Sequence, residues 1–358
     1  MNDQPQPSCH RADDCGGPHP VFAAEWSQQQ AVLIAWPHAG TDWAYMLDQV
    51  TDCYNQLARA ILPHARLVIV APDTEVPKKL LADCDQSRII YIDIDTNDTW
   101  TRDSGPITVI DPNGQYVLND FCFNGWGLKF AADRDNLINR QLMFTGLFDG
   151  ARYVNRLSFV FEGGAIESDG QGTLLTTTRC LMSPNRNGGM TRREIGQYIK
   201  KALGARKLLW LDHGYLAGDD TDSHIDTLAR FAPDNTILYV GCQDPTDEHY
   251  DELRAMRHDL QAMHNAEGES FHLMELPLPD AIYDADGNRL PATYANFLAI
   301  NDAVLVPVYG QPKKDDLACR IIEVAFAPRR VVPVDCRALI QQHGSLHCAT
   351  MQLPYINF

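Results

Sequence analysis

Apolar positions along the chain change period several times. Val32-Leu33-Ile34-Ala35-Trp36 is a continuous apolar run closed by Pro37, the pattern of a short buried strand. Between Asp42 and Leu62 the residues Trp43, Met46, Leu47, Val50, Tyr54, Leu57 and Ile61 recur at helical spacing and predict a helix. Leu67 to Ala71 reads as a second strand, stopped by Pro72-Asp73. Pro77 to Cys84 then reads as a short helix and Ile89 to Ile94 as a third strand.

The alternation continues. Asp111-Pro112-Asn113-Gly114 and Asp169-Gly170-Gln171-Gly172 are turn sequences. They predict hairpins between Ile107–Ile110 and Tyr116–Leu118, and between Ile166–Glu167 and Thr173–Thr176. Helices are expected at Leu137–Leu147, Thr191–Leu203, Asp247–His264 and Asp315–Ala325. Thr191 and Glu194 stand at capping-box spacing. Further strands are expected at Lys207–Leu211, Ile225–Phe231, Thr236–Val240, Phe271–Leu276, Tyr294–Ile300, Ala303–Val308 and Val331–Val334. Strand units followed by one helix thus return several times, without any repeat of the sequence itself. The class is α/β with mixed sheets. Periodicity leaves open whether the units are arranged radially or as one doubly wound sheet.

Residues 1–20 are rich in Pro, Gly, Asp and His and hold little that can pack, so they read as a disordered tail. Cys9, His10, Cys15 and His19 match no standard zinc spacing. Residues 21–358 are expected to form a single catalytic domain. The net charge of -17 repels phosphate backbones and argues against a nucleic-acid partner. Ten scattered cysteines without a C-x-x-C pair fit reduced thiols in the cytoplasm. Neither a signal sequence nor a membrane-spanning apolar run is evident.

Four stretches are chemically loaded. Trp100-Thr101-Arg102-Asp103-Ser104-Gly105-Pro106 reads first as a turn capped by Asp103, with Arg102 in a surface ion pair. Phe161-Glu162-Gly163-Gly164 places a carboxylate before two glycines, which let backbone approach something closely. Gly218-Asp219-Asp220-Thr221-Asp222-Ser223-His224-Ile225-Asp226 is the densest polar cluster. An extended backbone would put His224 and Asp226 on one face. A Ca²⁺ or Mg²⁺ loop at 218–226 is the alternative reading, although the EF-hand glycine and glutamate are missing. The fourth stretch, Gly344 to Pro354, is a glycine turn feeding a short strand that carries Cys348, where a thiol can be exposed. A Cys, a His and several carboxylates suit nucleophilic attack on a planar cation, because a guanidinium offers five donors in a fork.

In this order, Trp-x-Arg-Asp-x-Gly-Pro, Glu-Gly-Gly, Asp-x-x-x-His-x-Asp and Gly-x-x-His-Cys-x-Thr-x-Gln resemble the agmatine deiminase family. That family is related to bacterial peptidylarginine deiminases and other guanidino-group-modifying enzymes. The resemblance runs from about residue 20 to 358. It implies a five-bladed α/β propeller (a pentein) with pseudo-fivefold symmetry and the site at its axis. It implies Cys348 as nucleophile, His224 as acid/base and Glu162 as its supporting carboxylate. Asp103 and Asp226 would grip the guanidinium, and Trp100 and Asp220 would line the channel for the alkyl chain and distal amine. The implied reaction converts agmatine to N-carbamoylputrescine and ammonia, a step toward putrescine, without metal or cofactor. Free or peptide-terminal arginine is the alternative substrate, and a metal-dependent hydrolase on the 218–226 loop is the reading from another class. Whether copies of the chain assemble is left open. Three stretches depart from the family pattern. Trp36-Pro37-His38-Ala39-Gly40-Thr41-Asp42-Trp43 lacks the common arginine, Ser345-Leu346 replaces Gly-Asn-Ile, and Asp220 stands where many members carry Glu.

Overall fold

The computed structural model describes residues 19–357; most of the expected tail, with Cys9, His10 and Cys15, lies outside the described residues. The described strands form five separate small sheets. All five contain the same step: an antiparallel pair whose second strand then pairs in parallel with a third. A parallel neighbour needs a crossover, and a helix supplies it. Leu47–Ile61, Ile138–Phe144, Arg192–Leu203, Tyr250–Ala262 and Pro312–Ala325 are those crossovers, one per sheet. The sheet of Ala31–Ala35 gains an extra strand, Ile89–Asp93, and its first antiparallel partner is Met351–Leu353 from the other end of the chain. The five sheets are the five blades that the resemblance implied.

Crossover helices bury one face. Leu47–Ile61 turns Val50, Cys53, Tyr54, Leu57, Ala58 and Ile61 inward. Arg192–Leu203 carries the expected capping box at Thr191 and Glu194 and ends at Gly204 in the left-handed region. Strands such as Ala31–Ala35 and Thr236–Gly241 are buried at every position, which accounts for their unbroken apolar runs.

Several expectations are corrected. The helix expected from Asp42 begins as a 3-10 turn, Asp42–Met46, because Thr41 caps Trp43 there. A strand of nine residues, Arg152–Val160, was not expected; its positions are mostly half-buried or exposed, so no clean apolar alternation marks it. Ile225–Phe231 is not one strand: Ile225–Thr227 is a 3-10 turn and only Ala229–Ala232 pairs. Likewise Tyr294–Ile300 contributes only Leu298–Ile300. Cys348 lies in a turn before Met351–Leu353 rather than on a strand, and it is 5% exposed. In both shortened strands the burial comes from an approach segment that packs at the centre of the molecule instead of joining a sheet.

Candidate active site

Those approach segments build the site. Each lies just ahead of the first, antiparallel strand of a blade: 100–104 before Ile107–Ile110, 162–165 before Glu167–Ser168, 224–227 before Ala229–Ala232, 293–296 before Leu298–Ile300, and 345–349 before Met351–Leu353. They bond to one another in a ring. Thr101 Oγ1 donates to Ala349 O (3.1 Å) and Arg102 N to Cys348 O (3.2 Å). Gly164 N donates to Asp103 Oδ1 (2.8 Å), and His224 Nε2 lies 3.4 Å from Glu162 Oε2. Asn296 Nδ2 donates to Asp226 O (3.4 Å), and Asn296 Oδ1 accepts from the backbone of His347 (2.9 Å) and Cys348 (3.2 Å). Residues far apart in sequence therefore meet because they occupy equivalent places in successive blades.

Cys348, His224, Glu162, Asp103 and Asp226 are brought together and all are buried. Cys348 Sγ lies 3.8 Å from Asp226 Oδ2. Burial, with the negative charge of Asp226 and Asp103 added, pushes the thiol well above its ordinary pKa. Burial likewise raises the Asp103 carboxyl, although the Trp126 indole donates to its Oδ2 (2.8 Å). Burial opposes a charge on His224, but the Asp103 charge and the Glu162 contact outweigh it and raise its pKa well above the ordinary imidazole value. Glu162 is held below the usual range despite its burial by Arg186, whose Nε donates to both carboxylate oxygens (3.0 and 2.8 Å). Asp226 is also lowered against its burial, by the His347 ring at 2.7 Å.

Among the described residues, two polar atoms of this group have no hydrogen-bond partner: Asp226 Oδ1, and His224 Nδ1, which lies 3.6 Å from Asp103 Oδ1. Unmatched buried groups are rare, and they point to a ligand. The Gly-Gly pair has its reason here. A Cβ on Gly164 would stand 2.6 Å from His224 Nδ1, 2.8 Å from Asp103 Oδ1 and 3.1 Å from Asp226 Oδ2.

A narrow cleft leads to this cluster, lined by Asp98, Trp100, Asp103, Trp126, Asp220 and Cys348. Trp100 packs against Gly344, where any Cβ would overlap its ring. Trp126 and Leu128 both sit at positive φ (55° and 68°), a strained loop that turns the indole inward to Asp103. At the outer end, Asp98 and Asp220 face a low-dielectric space. Burial raises Asp98 to about 7, with help from Asp42 and Asp220, and burial raises Asp220 to about 6, with help from Asp219.

A family model for the Porphyromonas-type peptidyl-arginine deiminase matches residues 21–354. The chain belongs to that family. Family members are hydrolases that modify guanidino groups. A Shewanella protein named "Putative agmatine deiminase" is 31% identical, with 92% of this chain and 93% of that one covered. The C. jejuni agmatine deiminase with substrate bound is 33% identical at a TM-score of 0.88, covering 97% of this chain and all (100%) of the other. A structure from Porphyromonas gingivalis named "Putative Arginine Deiminase" is 50% identical at a TM-score of 0.89, covering 94% and 98%.

Sequence reasoning missed Asp98, Trp126, Arg186, Asn296 and His347. His347 stands in the Gly-x-x-His-Cys motif but was given no role, and Asn296 and Asp98 belong to none of the four motifs. Arg102, expected in a surface ion pair, is 7% exposed and contacts His347 O, Met351 Sδ and Gln352 Oε1. The 218–226 loop is occupied by protein contacts. Asp219 accepts from Thr221 and Ser223, and Asp222 pairs with Arg186 and Lys129. Among the described residues, no helix is long and apolar enough to cross a membrane.

Proposed function

We propose that this chain, with residues 21–358 acting as one catalytic unit, deiminates agmatine to N-carbamoylputrescine and ammonia, supplying a precursor of putrescine. The observation that carries the reading is the pair of buried atoms without a hydrogen bond among the described residues, His224 Nδ1 and Asp226 Oδ1, beside Asp103 and the Cys348 thiol. A guanidinium placed there gives Asp103 and Asp226 donors in a fork geometry. Cys348 loses its proton to solvent as the cation binds, and the thiolate attacks the central carbon, forming a C–S bond. His224 gives a proton to the departing nitrogen, the C–N bond breaks and ammonia leaves. The amidino group remains on sulfur. His224 then takes a proton from water as the water oxygen attacks the same carbon. The C–S bond breaks, and the ureido product leaves with the thiol restored.

Agmatine is favoured over arginine by the far end of the cavity. Asp98, Asp220 and the ring of Trp100 offer carboxylates and an aromatic face to an ammonium. Lys129, beside Asp220, is already engaged with Asp220 O (2.5 Å) and Asp222 Oδ1 (2.8 Å). The described cysteines are all free thiols, which fits the cytoplasm. The test is ammonia release from agmatine, arginine, methylated arginine and a C-terminal-arginine peptide, by wild type and Cys348→Ser. Fast release from agmatine alone, abolished by Cys348→Ser in a folded protein, is expected. Equal catalytic efficiency on arginine would overturn the substrate, and an active serine variant would overturn the covalent route.

A further inference from the structure

Behind Asp226 lies a second polar cluster that the reaction above does not use. His347 Nδ1 meets Asp226 Oδ2 at 2.7 Å, and its Nε2 meets Glu25 Oε2 at the same distance. Glu25 comes from the segment before the first blade. That segment is tied down by Val21 pairing with Ile110, by Ser168 Oγ donating to Phe22 O (2.7 Å), and by Ala299 N donating to Glu25 Oε1 (2.8 Å). Arg230, fully buried over the Phe297 ring, donates to Glu25 and Glu167 and stands 3.1 Å from His347 Nε2. Glu25, Glu167 and His347 cluster like metal ligands, but the Arg230 guanidinium already ties them together. The remaining charged neighbour, Arg102, reaches the His347 carbonyl through Nε. The cluster also opens on a separate cleft whose lining includes Glu25, Arg102, Glu167 and His347.

A carboxylate rotates freely unless one oxygen is pinned. His347 pins Oδ2 of Asp226, and Oδ1 is the oxygen left without a partner in the active site. We infer that His347 is a positioning residue that aims Asp226 at the guanidinium, and that Glu25 holds the His347 ring from behind. The inference rests on the deiminase reading. It makes the segment around Glu25 part of the active-site support.

The test separates orientation from folding. His347→Asn keeps an N–H close to where Nδ1 stands, whereas His347→Leu removes it. Glu25→Gln keeps acceptor and donor groups for its neighbours, and Glu25→Ala removes them. On the guanidino compound that wild type processes best, His347→Leu is expected to lose at least about thirtyfold in kcat/KM, more in kcat than in KM, since a misaimed carbon no longer meets sulfur. His347→Asn is expected to regain most of that loss. Glu25→Ala is expected to lose about tenfold, and Glu25→Gln to stay within about threefold of wild type. Thermal melting of each variant shows whether the kinetic order follows stability instead. Equal losses in the Asn and Leu variants would overturn the inference. If His347→Leu does not fold, the decision falls to the Glu25 pair, and equal rates for Glu25→Ala and Glu25→Gln overturn it. Wild type that releases no ammonia from any guanidino compound fails the deiminase reading and takes this inference with it. An active wild type with unsplit variant pairs fails the inference alone.

Discussion

Gly164→Ala is the smallest change that tests the site geometry. The added carbon would lie 2.6, 2.8 and 3.1 Å from His224 Nδ1, Asp103 Oδ1 and Asp226 Oδ2. Ordinary contact begins at roughly 3.5 Å, so these atoms must retreat by about 0.4–0.9 Å. None is a loose end: Asp103 is held by Trp126 and by Gly164 itself, and Asp226 by His347. Overpacking of this kind costs about 1–3 kcal/mol. With an unfolding entropy of roughly 2.1 cal/mol/K per residue over 358 residues, that lowers Tm by only about 1–4 °C. Displacing reacting groups by about 1 Å costs on the order of a hundredfold in rate. The expected result is therefore a folded protein, melting within a few degrees of wild type, with kcat/KM on agmatine reduced by about thirtyfold to a hundredfold. Ammonia release and circular dichroism melts measure both. Kinetics within about threefold of wild type would refute the claim that these three atoms close around one reacting group.

Arg186→Met leaves the fully buried Glu162 with only the His224 ring against its charge, and breaking such a buried pair costs about 3–5 kcal/mol, a fall of about 4–7 °C in Tm by the same entropy. Adding Glu162→Gln should restore much of the stability but not the activity, and melts of single and double variants check this. Asp98 and Asp220 are raised to about 7 and about 6, so in the empty cavity both lose protons only as pH climbs through that window. The sign follows: folded-state pKa values above the unfolded ones stabilise the empty protein at low pH, and that contribution is lost as pH rises through about 6 to 7. Agmatine binding to Cys348→Ser should tighten over the same interval and release protons, as calorimetry in buffers of different ionisation enthalpy would record; affinity independent of pH would remove both carboxylates from the amine end. Asp98→Asn should raise KM for agmatine by about tenfold with little change in kcat, because it touches the distal end and not the reacting carbon.

Legibility in the sequence followed physical cause. Strands buried on both faces and crossover helices with one apolar stripe were readable, because burial writes itself into periodicity. The five-blade arrangement was not, since periodicity carries no information on how units pack; the ordered motifs supplied it by resemblance. Cys348, His224, Glu162, Asp103 and Asp226 were legible as motif members, and the structure brings them together. The backbone assumed for two of them was wrong. His224 and Asp226 converge through a 3-10 turn and not through an extended strand. The supports were illegible for a different reason. Asn296 and Glu25 act across blade boundaries, and no local spacing marks a residue whose partner is far off in sequence, as Glu25 is from Arg230 and His347; Arg186 reaches Glu162 within one blade, and His347 stood in a motif without an assigned role.

The charges around Cys348 explain why a thiol is kept there in a form that is hard to ionise. Asp103 and Asp226 both oppose a thiolate, and burial adds to them. In the low-dielectric interior a charge a few ångströms away acts far more strongly than it does in water. A guanidinium arriving between the carboxylates cancels their field and adds its own, so the same groups that silence the thiol in the empty site favour its ionisation once the cation is bound. Nucleophile activation is then tied to the presence of the group to be attacked, and a neutral ligand of the same shape leaves the thiol protonated. Product release obeys the same rule. On the proposed deiminase reading, hydrolysis turns a cation into a neutral ureido group, its charge-assisted bonds to Asp103 and Asp226 lose their charge at once, and the carboxylate field returns to raise the thiol again. The reaction itself thus resets the site, with no conformational change required of the buried blades.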